Sequence, residues 1–171
     1  MRSSSVWKNP RAKIFIIRFL VIFFAFQAVA LLGLVHFYQL ILAQFIGSWF
    51  HLPVNGTLLL LQPTAFEISA LCTGITSLGM WFGLLWGFQI PKQKEKWTFA
   101  FLGALIILAV NVARVMLIVY FGIYFYLEQV ELVHTLSWFA MSAGIVGAWY
   151  YAMRKHYHFK SGKEMAHALL R

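Results

Sequence analysis

Four runs of about 20 apolar residues constrain this chain more than any other feature, because a helix of that length crosses the hydrocarbon core of a bilayer. The runs cover residues 14–35, 72–90, 97–120 and 134–153 of a 171-residue sequence. With 61% hydrophobic residues, 11% charged residues and a mean hydropathy of +0.75, a soluble domain of this size has nowhere to hide its apolar surface. The expected fold is therefore all-α: a polytopic transmembrane helix bundle of about four spans, forming one membrane domain over residues 1–171.

Charge settles the expected orientation. Fourteen Lys and Arg stand against five Glu and no Asp, which in a soluble protein would suggest a nucleic-acid partner. Here the basic residues sit in blocks beside the apolar runs, so topology explains them and no nucleic acid is expected. Arg2, Lys8, Arg11 and Lys13 precede the first run, Lys92, Lys94 and Lys96 follow the second, and Arg154, Lys155, Lys160, Lys163 and Arg171 follow the fourth. The positive-inside rule assigns all three blocks, and hence both termini, to the cytoplasm of a multi-pass protein of the cell membrane. The first run is too long for the apolar region of a secretory signal and reads as an uncleaved anchor. The opposite side receives residues 36–71 and 121–133, which contain Glu67, Glu128 and Glu131 and no Lys or Arg. In the first of these stretches Pro53, Asn55-Gly56 and Pro63 interrupt helices, and its apolar character suits a segment lying at the interface. The Asn55-Gly56 pair fits a short hairpin.

The unusual residues gather at one level. Cys72, the only cysteine, opens the second run from the outer side; alone, it builds neither an intrachain disulfide nor a cysteine-based metal cluster, and no metal or cofactor is expected. Gly79, Gly83 and Gly87 recur every four residues after it, and a small stripe of this kind admits a neighbouring helix closely. Cys72 lies seven residues before Gly79 and so shares that stripe, which points it into the bundle. Arg114 is the single charge between Trp97 and Leu127, and a charge inside a membrane helix costs at least a few kcal/mol unless it finds partners or water. Counted from Trp97 at about 1.5 Å per residue, it lies roughly 26 Å up, in the outer part of a core about 30 Å thick. Asn111, three residues earlier on the same face, is placed to bond a neighbouring helix or to orient the guanidinium. His134 opens the fourth run at the outer side, and Ser137, Met141, Gly144 and Ala148 continue its face. Each has a bland reading too: a lone Cys is more often a small packing residue than a nucleophile, an interfacial His such as His36, His51 or His134 is more often an anchor than a base, and Glu67 either pairs with Arg114 or is merely solvated.

Cys, His and Arg at one level suit acyl transfer. The thiolate is the attacking form and an ordinary thiol ionises only near pH 8.5, so an adjacent cation helps. An imidazole delivers a proton to the leaving amine, and a permanently charged guanidinium stabilises a thiolate or an oxyanion in a site of low dielectric.

The run Cys72-Thr73-Gly74-Ile75 with Ser77, the segment Asn111-Val112-Ala113-Arg114-Val115, and His134 opening the last span together resemble the exosortase/archaeosortase family, over roughly residues 67–149. The chain looks like a compact form of that family's core. The resemblance implies a membrane-embedded cysteine transpeptidase, similar to sortases in chemistry and unrelated in fold. Such an enzyme acts at the outer membrane face on exported proteins that carry a C-terminal sorting signal: a short motif, a transmembrane helix and a basic tail. By that similarity Cys72 maps to the nucleophile, Arg114 to the essential arginine and His134 to the third member, with Asn111, Glu67 and Ser137 as supporting candidates. The acceptor it implies is a membrane lipid or glycolipid head group. Two other functions fit the residues alone: a membrane cysteine protease with water as acceptor, and a non-catalytic membrane subunit or small transporter in which Arg114 binds an anion or stabilises a helix contact.

Overall fold

The computed structural model describes residues 10–61, 64–125 and 127–169; Arg2, Lys8, Pro63 and Arg171 of the sequence argument lie outside them. In chain order come α1 (Pro10–Leu31), α2 (His36–Phe50), β1 (Val54–Asn55), β2 (Leu58–Leu61), β3 (Thr64–Glu67), a 3₁₀ turn (Ala70–Thr73), α3 (Ile75–Gly87), α4 (Gln93–Tyr124), α5 (Leu127–His156) and α6 (Gly162–Leu169). The chain is mostly helical. Among the described residues, three helices are long and apolar enough to cross a membrane: Pro10–Leu31, Gln93–Tyr124 and Gln129–His156.

The second expected span takes a different form. Residues 72–90 do not make one helix: Cys72 sits in the 3₁₀ turn, Gly74 follows at φ +80°, and only then does the 13-residue α3 begin. Gly74 is required here twice over. Its backbone lies in the left-handed region, and a Cβ would stand 3.0 Å from Asn111 Cγ on α4. Cys72 therefore does not lie on the helix carrying Gly79, Gly83 and Gly87. That stripe instead receives α1, since Cβ atoms at Gly83 and Gly87 would come within 2.8 Å of the Phe19 and Phe15 rings, and one at Gly79 within 2.9 Å of Phe26 Cβ. The α3 helix rises about 20 Å and the 3₁₀ turn adds about 8 Å, so the two together approach the thickness of a hydrocarbon core.

The all-helical expectation also needs correction between α2 and α3. After α2, residues 54–67 form a three-stranded antiparallel sheet in the order β1-β2-β3, with Val54 opposite Leu59 and Leu59 opposite Phe66. The hairpin falls at the Asn55-Gly56 pair: Asn55 faces Leu58, and Gly56 takes φ +62° in the turn. Alternation places Leu59 inside and leaves Leu58 and Leu60 outside.

Two cores result. One gathers Trp81, Leu85, Ile107, Trp149, Met153 and Met165, with Phe15 and Phe19 against it; the other gathers Leu42, Ile46, Leu59, Ile68, Val115 and Val119 around Cys72. At the basic end, the Lys92 N–H donates to Glu95 Oε2 (3.2 Å) and caps α4. Lys96 Nζ donates to the Phe88 carbonyl at the end of α3 (2.8 Å). The Tyr157 hydroxyl, just beyond α5, donates to the Glu95 carboxylate, whose Oε1 lies 3.7 Å from His156 Nε2. Burial and the Glu95 carboxylate together push the Tyr157 phenol up to about 12.

Candidate active site

The 3₁₀ turn holds Cys72 by several short-range bonds. The Cys72 N–H donates to the Ser69 carbonyl (2.9 Å), the Ser69 hydroxyl lies 3.4 Å from Cys72 Sγ, and the Thr73 hydroxyl donates to the Ala70 carbonyl. From α2, Gln39 Nε2 donates to the Ile68 carbonyl (2.9 Å) and ties the strand that leads into the turn. Cys72 is 2% exposed, walled in by the second core.

From the far side of the turn, α4 reaches across. Asn111 is fully buried; its Nδ2 donates to the Cys72 carbonyl (2.6 Å) and its Oδ1 accepts from Arg114 Nη1 (3.1 Å). The two bonds fix the amide's orientation, because one end must donate to a carbonyl and the other must accept from a guanidinium, which has no acceptor. Arg114 Nε donates to Ser137 Oγ (3.1 Å), and the Ser137 hydroxyl donates to the His134 carbonyl (2.7 Å). A continuous run of hydrogen bonds thus joins the backbone of Cys72 to α5 through Asn111, Arg114 and Ser137. The guanidinium also lies over the Trp138 ring, 5.3 Å from its centroid.

The candidates are not placed alike. Cys72, Asn111, Arg114 and Ser137 are linked directly. His134 is half-buried and enters the network through its carbonyl; among the described residues its imidazole makes no hydrogen bond. Glu67 lies apart, exposed on β3 opposite Leu58, and among the described residues it forms no ion pair with Arg114. Three contributors were not singled out from the sequence: Gln39, Ser69 and Trp138. Ser69 stands three residues before Cys72, a spacing that a tight turn brings together, and Trp138 is four positions after His134 on α5. Gln39 had a weaker signal, as one of two amides, with Gln44, in a mostly apolar helix.

Beside Arg114 a groove of about 630 Å³ opens between α4 and α5. Arg114 and Ser137 supply its polar end; Gly103, Ile107 and Val110 from α4, Met141, Gly144 and Ala148 from α5, and Trp81 from α3 line the rest. Arg114 Nη2 is buried with no partner among the described residues.

Compared with known families, residues 4–150 match the family model described as transmembrane exosortase. No curated protein and no solved structure matches the chain.

Proposed function

The chain belongs to the transmembrane exosortase family, a family of membrane cysteine transpeptidases generally, and from that premise we propose that it cleaves and transfers exported proteins with Cys72 as its nucleophile. The carrying observation is the run of hydrogen bonds from the Cys72 carbonyl through Asn111 and Arg114 to Ser137 and the first turns of α5. It makes the cysteine-bearing turn and the cation parts of one rigid arrangement, as preorganised electrostatic catalysis demands.

In this reading the Cys72 thiolate adds to the scissile carbonyl of a C-terminal sorting signal. Arg114 offsets the negative charge of the thiolate and then of the tetrahedral intermediate. As the C–N bond breaks, His134 gives its proton to the leaving amine, and the acyl group remains on Cys72 as a thioester. An acceptor nucleophile, the head group of a lipid or glycolipid, attacks the thioester, loses a proton to the imidazole and regenerates the thiolate. Four crossings, with both termini in the cytoplasm and the site at the outer face, complete the proposal; the strand-like segment and the 3₁₀ turn extend α3 toward that face. Because Cys72 is buried at rest, the substrate enters by displacing part of the wall around it.

The test co-expresses the protein with an exported substrate carrying a motif, a transmembrane helix and a basic tail, and determines the mass of the product's new C-terminus. The parent is expected to release a product with an acceptor attached, and Cys72→Ala and Cys72→Ser none. A product ending in a free carboxylate makes water the acceptor. Processing that survives Cys72→Ala, with the variant present at parental abundance, overturns the catalytic assignment.

A further inference from the structure

The groove between α4 and α5 has a chemistry of its own. Arg114 is 7% exposed, yet one of its terminal nitrogens has no partner. Its two bonded neighbours, Asn111 and Ser137, are neutral. A buried guanidinium with a free N–H favours an anionic oxygen over a neutral one, and among the described residues no carboxylate pairs with it. An anion from outside the described residues would supply the missing acceptor.

The shape of the groove limits what carries that anion. Its polar groups stand near one end, and from there the lining runs eleven residues on each wall, from Ser137 to Ala148 on α5 and from Arg114 to Gly103 on α4, roughly 16 Å at 1.5 Å each, close to half of a hydrocarbon core about 30 Å thick. That is the depth of one leaflet. A helix crossing both leaflets needs a groove about twice as long, whereas a lipid tail with its head group at Arg114 fits the length and the polarity together. The floor is open as well: a Cβ at Gly144 would meet nothing within 4 Å.

We propose that this groove seats one acyl chain of an anionic phospholipid, with a phosphate oxygen accepting the free N–H of Arg114 and the tail running past Val110 and Gly144 toward Trp81. The site does not depend on the acyl-transfer reading and stands if that reading fails. Where both hold, a lipid head group is moored one hydrogen-bonded step from the turn that carries Cys72.

The test reconstitutes the full chain into bilayers of phosphatidylcholine doped with phosphatidylglycerol bearing a photoreactive group near the end of one acyl chain. Crosslinks are mapped by peptide mass spectrometry, a readout independent of substrate processing. Labelling is expected to concentrate on Gly103, Ile107, Ile145 and Ala148, and unlabelled phosphatidylglycerol is expected to compete for it in the parent. Gly144→Leu, which fills the floor, is expected to lower labelling about tenfold, equivalent to about 1.4 kcal/mol of lost affinity. Gly147→Leu, on the same helix but outside the groove, is expected to leave it unchanged. Arg114→Gln is expected to abolish the preference over a neutral diacylglycerol probe with the same chain. Four results overturn the proposal: equal labelling by the neutral probe in the parent, labelling spread evenly over the outer faces of all helices, displacement by an apolar helical peptide but not by phosphatidylglycerol, or equal labelling of Gly144→Leu and parent.

Discussion

Replacing Asn111 by Ala removes a donor from the Cys72 carbonyl and an acceptor from Arg114 in one step. A hydrogen bond to a charged group is worth about 1.5–3 kcal/mol, so Asn111→Ala is expected to lower substrate processing on the order of 10- to 100-fold at unchanged protein abundance, measured by immunoblot of precursor and product. Gly74→Ala acts on the same turn from the other side. Forcing an L-residue into the left-handed region costs about 1–2 kcal/mol, and the new Cβ would press on Asn111 at 3.0 Å. A lower melting temperature in detergent and faster reaction of Cys72 with an apolar maleimide are expected together. At this scale the sequence was legible where a residue violated its surroundings: a charge or an amide in an apolar helix is conspicuous, so Arg114 and Asn111 stood out. Ser69 and Gln39 did not, because a serine before a cysteine and an amide near an interface violate nothing until the fold brings them into register. Glu67 lies on an exposed strand face, and among the described residues it forms no ion pair with Arg114.

Helices α1, α4 and α5 were visible as apolar runs, but hydropathy marks the extent of the apolar stretch and not of the helix. Both α4 and α5 continue into polar ends, the first from the Glu95 cap and the second to Arg154, Lys155 and His156. The break before α3 was hidden because Gly74 reads as one more small residue in a glycine-rich run. The stripe that follows it carries a direct test: Gly83→Val places methyl groups against the Phe19 ring, and overpacking of this kind costs about 1–3 kcal/mol. A clear drop in thermal stability is expected, whereas Gly147→Ala, with nothing within 4 Å of its Cβ, is expected to hold parental stability or exceed it slightly because Ala favours the helix. The clamp between the start of α4 and the end of α5 gives a pH dependence. The folded state holds the Tyr157 proton more tightly than the unfolded state, whose phenol titrates near 10, so the stabilisation is complete below about pH 10 and is lost as pH rises through about 12. The stability difference between the parent and Tyr157→Phe is expected to shrink over that window, read from melting curves at each pH.

For the molecule as a whole, the decisive geometry is the number of crossings. Four place the termini on the same side; three, with α3 failing to cross, place them on opposite sides. Reporter fusions active only outside the cell are expected to be silent at the C-terminus and in the loop between α3 and α4, and active between α4 and α5; an active C-terminal fusion overturns the four-span arrangement. The two cores divide the bundle in the same sense, one beneath the basic end and one around the cysteine turn. That turn brings a liability which its burial answers. Peroxide converts an accessible thiolate to a sulfenic acid, and without a second thiol to trap it the damage proceeds to acids that are not readily reduced. This chain has one cysteine and so cannot rescue itself by forming an internal bridge. Oxidant reaches the sulfur only when the wall of Ile46, Leu59 and Val115 parts, and under the proposed acyl transfer each opening that admits a substrate would also expose the sulfur to poisoning.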